Sequence, residues 1–310
     1  MNPSIDPRLQ NLSYSGLLTF HTCPRLFQLE KLNAQVDAEE DYEASVTFAF
    51  GHVVGLGIQL HFEGFSEDQI YWRLFLHWAP DLQATNEKQK KSFWLALGAI
   101  RNFLSMRAHG YLSEWELVYQ DSKPATELSF VITLPNGFRY RGFVDGVLRH
   151  KVTGEIMVLE VKTTSATNLN PAQYKNSAQA VGYSVVLDHL FPELSSYEVL
   201  YLVYCTKSLE YTSLPFTKSY LQRALWIQEL LLDVELITLY ESRGVYPMHG
   251  ESCLQYYREC KFLQTCTMST SLLTSPETPE SVEKRLQKES EYQIQVTVEE
   301  LIQAQLRKDL

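Results

Sequence analysis

Ile156-Met157-Val158-Leu159-Glu160-Val161-Lys162-Thr163-Thr164 lies midway along the 310-residue chain. Its first four residues are continuously apolar, as in a strand buried on both faces. Two charges, Glu160 and Lys162, then close the run. Side chains alternate along a strand, so both charges point to the face that Ile156 and Val158 occupy. Unpaired charge in a core is costly, so the pair calls for a partner, a metal or a chemical task.

Upstream, Glu127 to Leu134 and Phe138 to Arg149 flank Pro135-Asn136-Gly137, a pattern that predicts a hairpin. A second turn at Lys151-Val152-Thr153-Gly154 leads back into the Ile156 strand. Folding about Val152 and Thr153 brings Asp145, in Gly142-Phe143-Val144-Asp145, opposite Glu160 or Val161. Two carboxylates and an ammonium then converge at one sheet position. Carboxylates with few other ligands suit Mg²⁺ or Mn²⁺, which keep waters and bind phosphate. A lysine beside them can orient an attacking water and steady phosphate charge. This is the constellation for metal-assisted phosphodiester hydrolysis. Asp121-Ser122-Lys123 has the same acid-x-Lys spacing, but it stops at Pro124 with no paired carboxylate upstream and reads as a turn.

Downstream, the pattern predicts a helix over about 171–190, with Gln179 and Tyr183 one turn apart on a single face. There they are candidates to hold a phosphate or a metal-bound water. Strands follow at Tyr197–Cys205 and near Leu209–Pro215, and Cys205 is expected in the core. A long amphipathic helix over about 218–241 carries Leu221, Leu225, Ile227, Leu230 and Leu231, expected to face the core. Strands, helix and strand in that order give an α/β class with a mixed sheet and a crossover helix. Residues from about 13 to 110 read as helical. Ser66-Glu67-Asp68-Gln69 predicts a capping box, and Asn86 a cap for a helix carrying Phe93, Trp94, Leu97, Ile100 and Leu104. The acidic run Asp37–Glu43 reads as a solvated loop. Beyond Cys266, residues 269–281 are rich in Ser, Thr, Pro and Glu and read as a linker, with a strand and short helix expected within 291–310.

Composition narrows the classes. Apolar residues make up 45% and charged residues 21%, an ordinary globular balance. The formal charge of −10, from 27 Lys and Arg against 37 Asp and Glu, argues against a protein that coats nucleic acid. The balance reverses locally: Arg139, Arg141, Arg149, Lys151 and Lys162 outnumber Asp145, Glu155 and Glu160, which predicts a basic lining that guides a DNA strand. No apolar run is long enough for a bilayer, and the first ten residues hold no apolar signal core, so no membrane association and a cytoplasmic location are expected. The five cysteines read as thiols or metal ligands before disulfides.

Gly142-Phe143-Val144-Asp145, Leu159-Glu160-Val161-Lys162-Thr163, Gln179-Ala180-Val181-Gly182-Tyr183 and the N-terminal Ser13-Tyr14-Ser15 with Cys23-Pro24-Arg25 together resemble the PD-(D/E)xK nuclease superfamily. The likeness is greatest to its RecB-like branch, which includes the Cas4-type and AddB-type nucleases and phage exonucleases. It spans about residues 12 to 267. The resemblance implies a restriction-endonuclease-like core over about 115–215, a helical insertion over about 48–110, one nuclease domain over 1–267, and a linker and tail over 268–310. It implies that Asp145 and Glu160 bind Mg²⁺ or Mn²⁺, that Lys162 activates water, and that Gln179 and Tyr183 assist. Val144 stands where the superfamily's Pro would be, as in many RecB-like members. Glu127 matches a Glu often found before the Asp strand.

One departure concerns the metal-binding His that RecB-like nucleases carry in a Gly-x-x-x-His pattern. Here Gly51 is followed by Gly55, so His52, one turn earlier on the same face, is the candidate ligand, with His61 second. Cas4-like and AddB-like enzymes hold a 4Fe–4S cluster with one N-terminal and three C-terminal cysteines. The resemblance therefore assigns Cys23, Cys253, Cys260 and Cys266 to such a cluster, with zinc as the alternative metal. The implied function is a metal-dependent DNA exonuclease of recombination, repair or phage DNA metabolism in a bacterial or phage-infected cell. Its partners are DNA ends or single strands and a helicase, recombinase or other DNA-processing protein. The alternatives are a Cas4-like processing endonuclease subunit and a non-catalytic DNA-binding scaffold.

Overall fold

The computed structural model describes residues 5–34, 42–78, 91–255 and 258–307. Asn86 and residues 37–41 of the acidic run lie outside them. The chain enters through β1 (Asn11–Leu12), α1 (Tyr14–Thr22) and α2 (Pro24–Lys31). Ser13 opens α1 by accepting from the Gly16 N–H, and Pro24 opens α2, where its missing N–H leaves nothing unsatisfied. Then come α3 (Tyr42–Phe62), α4 (Glu67–His77) and α5 (Phe93–Ala108). Ser66 and Gln69 form the expected capping box on α4, and Ser92 caps α5.

The strands follow. β2 (Trp115–Leu117) leads to a small ladder of β3 (Tyr119–Gln120) and β4 (Lys123–Pro124). Asp121 and Ser122 turn between these two with φ of 50° and 64°, so the second acid-x-Lys is a turn as expected. β5 (Thr126–Thr133), β6 (Arg139–His150) and β7 (Ile156–Thr164) form the two predicted hairpins. The helix expected over 171–190 is two helices, α6 (Pro171–Lys175) and α7 (Ala178–Leu190). Asn176 and Ser177 separate them, both residues whose side chains compete with helical backbone bonding, and the Lys218 ammonium binds the Lys175 carbonyl where α6 ends. Next are β8 (Ser196–Cys205), β9 (Glu210–Ser219) and α8 (Tyr220–Arg243). The remainder holds β10 (Leu254–Gln255), β11 (Arg258–Glu259), α9 (Thr270–Leu273), α10 (Pro279–Ser290), β12 (Ile294–Thr297) and α11 (Val298–Leu306).

The main sheet runs β12-β5-β6-β7-β8-β9, with β1 and β2 also on β6. β7 and β8 are parallel, joined through α6 and α7, while β5, β6 and β7 pair antiparallel. β12 lies parallel to β5, with Ile294 opposite Phe130, so residues 294–297 extend the sheet. One sheet face packs Ile156, Val158, Tyr201 and Val203 against α7, α8 and α11. The other packs Met157, Leu159, Leu200 and Leu202 against α3, α4 and α5. The alternation read from the sequence therefore holds through β7, within a three-layer α/β/α body.

Helix α8 departs from expectation. Trp226, Ile227, Leu230 and Val234 face the core, but Leu221 and Leu225 face solvent. At 100° per residue they lie on the side opposite the buried set, so the helix is apolar on two faces. At the C-terminal end of α7, Asp188 and Arg223 form a fully buried ion pair at 2.8 Å. The Tyr197 hydroxyl donates to Asp188 at 3.0 Å, the Gln305 amide also donates to it, and Arg223 donates to the carbonyls of Lys218 and Ser195. This cluster ties α7, α8, β8 and α11 together.

Candidate active site

Strands β5 and β6 lose their regularity at one level. Val144 and Val147 both face the α7 layer while Leu148 faces α3, so the alternation of β6 slips by one residue at Asp145-Gly146. Opposite, Glu127 sits at φ 45°, a strained backbone for a residue with a Cβ, and the ladder steps from Leu128↔Val144 to Thr126↔Gly146 without pairing Glu127 to Asp145. Such local strain persists where surrounding structure holds it, often at functional sites. The β6–β7 ladder ends at Gly146↔Leu159, which puts Asp145 level with Glu160, within the predicted register. Asp145 Oδ2 accepts from the Val161 N–H at 2.9 Å.

A cavity of about 190 Å³ opens at this level, lined by Glu127, Asp145, Glu160, Lys162 and Gln179, with His52, Gly55 and Gln59 of α3 across from them. Lys162 Nζ lies 2.6 Å from Glu160 Oε1 and donates to Gln179 Oε1 at 2.9 Å. Gln179 Nε2 in turn faces the Tyr183 hydroxyl at 2.7 Å. Asp145, Glu160, Lys162, Gln179 and Tyr183 are thus gathered in one hydrogen-bonded constellation. Glu160 is 1% exposed, and its Oε2 has no hydrogen-bond partner.

Electrostatics separates these groups. Burial raises the Asp145 carboxyl, opposed by the Val161 N–H and Lys162. Burial also raises Glu160, Asp145 adds to the rise, and Lys162 offsets part of it. Glu127 is pushed up to about 7 by desolvation and by Asp145, although the residue as a whole stays open to solvent, which screens that effect. For Lys162, burial opposes the charge, but Glu160 and Asp145 outweigh it and hold the ammonium above its ordinary value. Three acids that resist ionisation surround one cation. A divalent ion would satisfy the orphaned Glu160 oxygen and relieve the acids, so the donors fit a hard cation. Among the described residues no group of three or more His, Cys, Asp or Glu side chains is arranged to hold a metal ion, here or at the cysteines.

The α3 wall holds what the sequence reading placed less firmly. His52 lines the cavity, with its ring 6.3 Å from that of His77. A Cβ built on Gly55 would meet nothing within 4 Å, so that position is open space facing the cavity. His61 is elsewhere: its ring packs on Phe62 and Phe103, and Arg107 donates to it at 3.0 Å. Gln59 was missed, although it follows His52 by seven residues on the same face. It donates to Glu63, which accepts from Thr126 at 2.5 Å, and so anchors β5 beside Glu127. The expected basic lining does not assemble. Of its members only Lys162 lines the cavity, while Arg149 lies over Phe191 and Lys151 binds the Ser113 carbonyl, because β6 spreads them over both faces and both ends.

The cysteine-bearing segments do meet. The Arg25 N–H donates to the Pro247 carbonyl at 3.0 Å, and the Arg25 guanidinium binds the Cys266 carbonyl at 3.0 Å and the Met268 carbonyl at 2.7 Å. Cys260 N–H donates to the Cys253 carbonyl at 2.9 Å. All five cysteines are free, with Cys205 buried on β8. Burial pushes the Cys260 and Cys266 thiols up, and neighbouring cysteines, Cys23 among them, add to it.

The model of the PD-(D/E)XK nuclease superfamily matches residues 11–267. A Eubacterium rectale protein assigned as an exonuclease is 15% identical in its crystal structure, with a TM-score of 0.48 over 89% of this chain and 93% of that one. The crystal structure of SSO0001 is also 15% identical, with a TM-score of 0.29 over 83% of this chain and 98% of that one. No curated protein matches the chain.

Proposed function

Because the chain belongs to the PD-(D/E)XK nuclease superfamily, we propose that it hydrolyses DNA phosphodiester bonds with Mg²⁺ or Mn²⁺, working from DNA ends as a RecB-like exonuclease. The observation that carries this reading is the buried carboxylate Glu160, left with an orphaned oxygen beside Asp145 and a lysine already held in place. Asp145 and Glu160 are the residues to hold the cation, with His52 placed to approach from α3. When bound, that cation supplies neutralising charge at the scissile phosphate. Lys162, fixed between Glu160 and Gln179, is aimed to orient the attacking water and to set positive charge against the phosphoryl oxygens as the bond breaks. Tyr183 fixes Gln179, and Gln179 fixes Lys162, so the ammonium arrives without rotamer search. Glu127, which also lines the cavity, is a further group able to accept a proton.

End-labelled linear and circular DNA, single- and double-stranded, with Mg²⁺, Mn²⁺ or EDTA, tests the reading. Cleavage of linear DNA only, abolished by EDTA, is expected. Cleavage of circles would favour the Cas4-like endonuclease alternative, and no cleavage of any form with either metal would defeat the catalytic reading. Cys23, Cys253, Cys260 and Cys266 are proposed to hold a 4Fe–4S cluster, with zinc as the alternative, stapling the α1–α2 corner to residues 247–268. Four thiols on segments already joined by Arg25 support this. Protein purified without oxygen should be brown and carry iron, and metal analysis showing neither iron nor zinc would overturn it.

A further inference from the structure

The outer face of α8 carries an exposed apolar stripe that the cavity does not use. Leu221, Leu225, Leu232, Leu236 and Leu239 are each 40–57% exposed, while the opposite side of the same helix is core. At 100° per residue the five leucines fall within about 60° of arc and run for about 27 Å. Their intervals of four, seven, four and three residues follow the spacing with which one helix packs along another. Grooves flank the ridge. One, of about 280 Å³, lies against α1 and is lined by Leu18 and Glu229. The other, of about 620 Å³, is lined by Glu235 and Leu239. Exposed apolar surface of this extent with a polar rim marks an interface.

The rim chooses the occupant. Glu229 and Glu235 are exposed on opposite edges of the stripe. Of the two bases in α8, Arg223 is buried and Arg243 closes the last turn. Setting two copies antiparallel about Leu232 would collect Glu229 and Glu235 of both chains at the middle of the seam, where His21, already held by Asp233 at 2.8 Å, stands near Glu229 but no Lys or Arg of α8 does. The formal charge of −10 opposes that pairing further. We propose that this face docks an amphipathic helix of a different protein, apolar at the same spacing and flanked by Lys or Arg.

The probe is a fluorescein-labelled helical peptide of about 20 residues with Leu at that spacing and Lys on both flanks, read by anisotropy at low salt. A twin peptide with Glu flanks is the comparison. Binding of the Lys peptide should weaken about ten-fold or more in Leu225→Gln/Leu232→Gln, the scale of losing an interface anchor. The double variant Glu229→Lys/Glu235→Lys should reverse the preference and bind the Glu peptide. Both variants should keep the wild-type melting temperature and cleavage of linear DNA, since neither site touches the cavity. Binding that ignores the leucine variants, or no binding of either peptide, would overturn the proposal. So would a wild-type dimer in sedimentation that Leu232→Gln dissociates, because a second copy would then own the face.

Discussion

Helix α7 has buried charge at both of its ends, and the two ends differ in how that charge is satisfied. At its C-terminal end both charges are answered: Asp188 meets Arg223, Tyr197 and Gln305, and Arg223 meets two further carbonyls, with only the neutral Gln305 Oε1 left without a partner. At its N-terminal end Gln179 reaches a cluster with three acids, one ammonium and an orphaned oxygen on Glu160. Buried charge of the first kind holds elements in register. Buried charge of the second kind is incomplete without something from outside, and that incompleteness separates a site from a strut.

The sharpest break in this comparison is Lys162→Ala. Cleavage should fall about 1000-fold, within the range for a positioned proton-handling group, with the chain still folded but somewhat less stable, because Glu160 and Asp145 lose their counter-charge. Full activity in that variant would remove β7 from the active site. At the other end, Arg223→Leu leaves Asp188 buried without its counter-charge and should cost about 3–5 kcal/mol of stability in urea unfolding. If that loss were under about 1 kcal/mol, the strut would be no strut. Activity per folded molecule should survive there.

Asp145→Asn should do the opposite of Arg223→Leu and stabilise the metal-free protein by about 1 kcal/mol, as relief of a strained functional site does. The sign follows from the raised carboxyl values of Asp145 and Glu160. Below about pH 3 the folded and unfolded chains both keep these protons, so no difference arises. As pH rises, the unfolded chain ionises first and the metal-free fold loses stability until its own raised values are passed. The gain from Asp145→Asn should therefore grow as pH rises above the ordinary carboxylate range. A gain that shrinks with pH in thermal melts would contradict the electrostatic picture of the cavity. The smallest effect expected is that of Gly55→His. The new side chain enters open space, and Mn²⁺ affinity measured by calorimetry should rise several-fold, within about 1–2 kcal/mol. An unchanged affinity would place the cation away from α3.

The same contrast governs what could be read before folding. The Glu160–Lys162 site announces itself because charge follows an uninterrupted apolar run, and a short turn fixes the register to Asp145. Gln179 and Tyr183 follow from one turn of helix. The Asp188–Arg223 strut is silent in the sequence, since its members sit 35 residues apart on two helices where each looks like an ordinary exposed charge. The break at Asn176-Ser177 had a signal, two cap-forming residues in a row, that apolar periodicity overrode. The second face of α8 is silent in its leucine content and visible only in the angles at which Leu221 and Leu225 stand from Leu230. The arginines of β6 scatter for a related reason: net charge along a strand says nothing of the face, and side chains alternate between two.

Strand β12 has a bearing on assembly. Gln293 meets Ser129 across 164 residues of chain, and closing so long a loop carries an entropic cost of about 4–5 kcal/mol by the logarithmic rule. The strand that carries Glu127 therefore waits for one of the last segments of the sequence before its outer edge is paired. During refolding, the inner edge of β5, paired to β6 across a short turn, should acquire amide protection early and its outer edge late. Cutting the chain near residue 290 should leave the outer edge of β5 open over Phe130–Thr133 while Thr126, beside Glu127, stays anchored to Glu63 of α3.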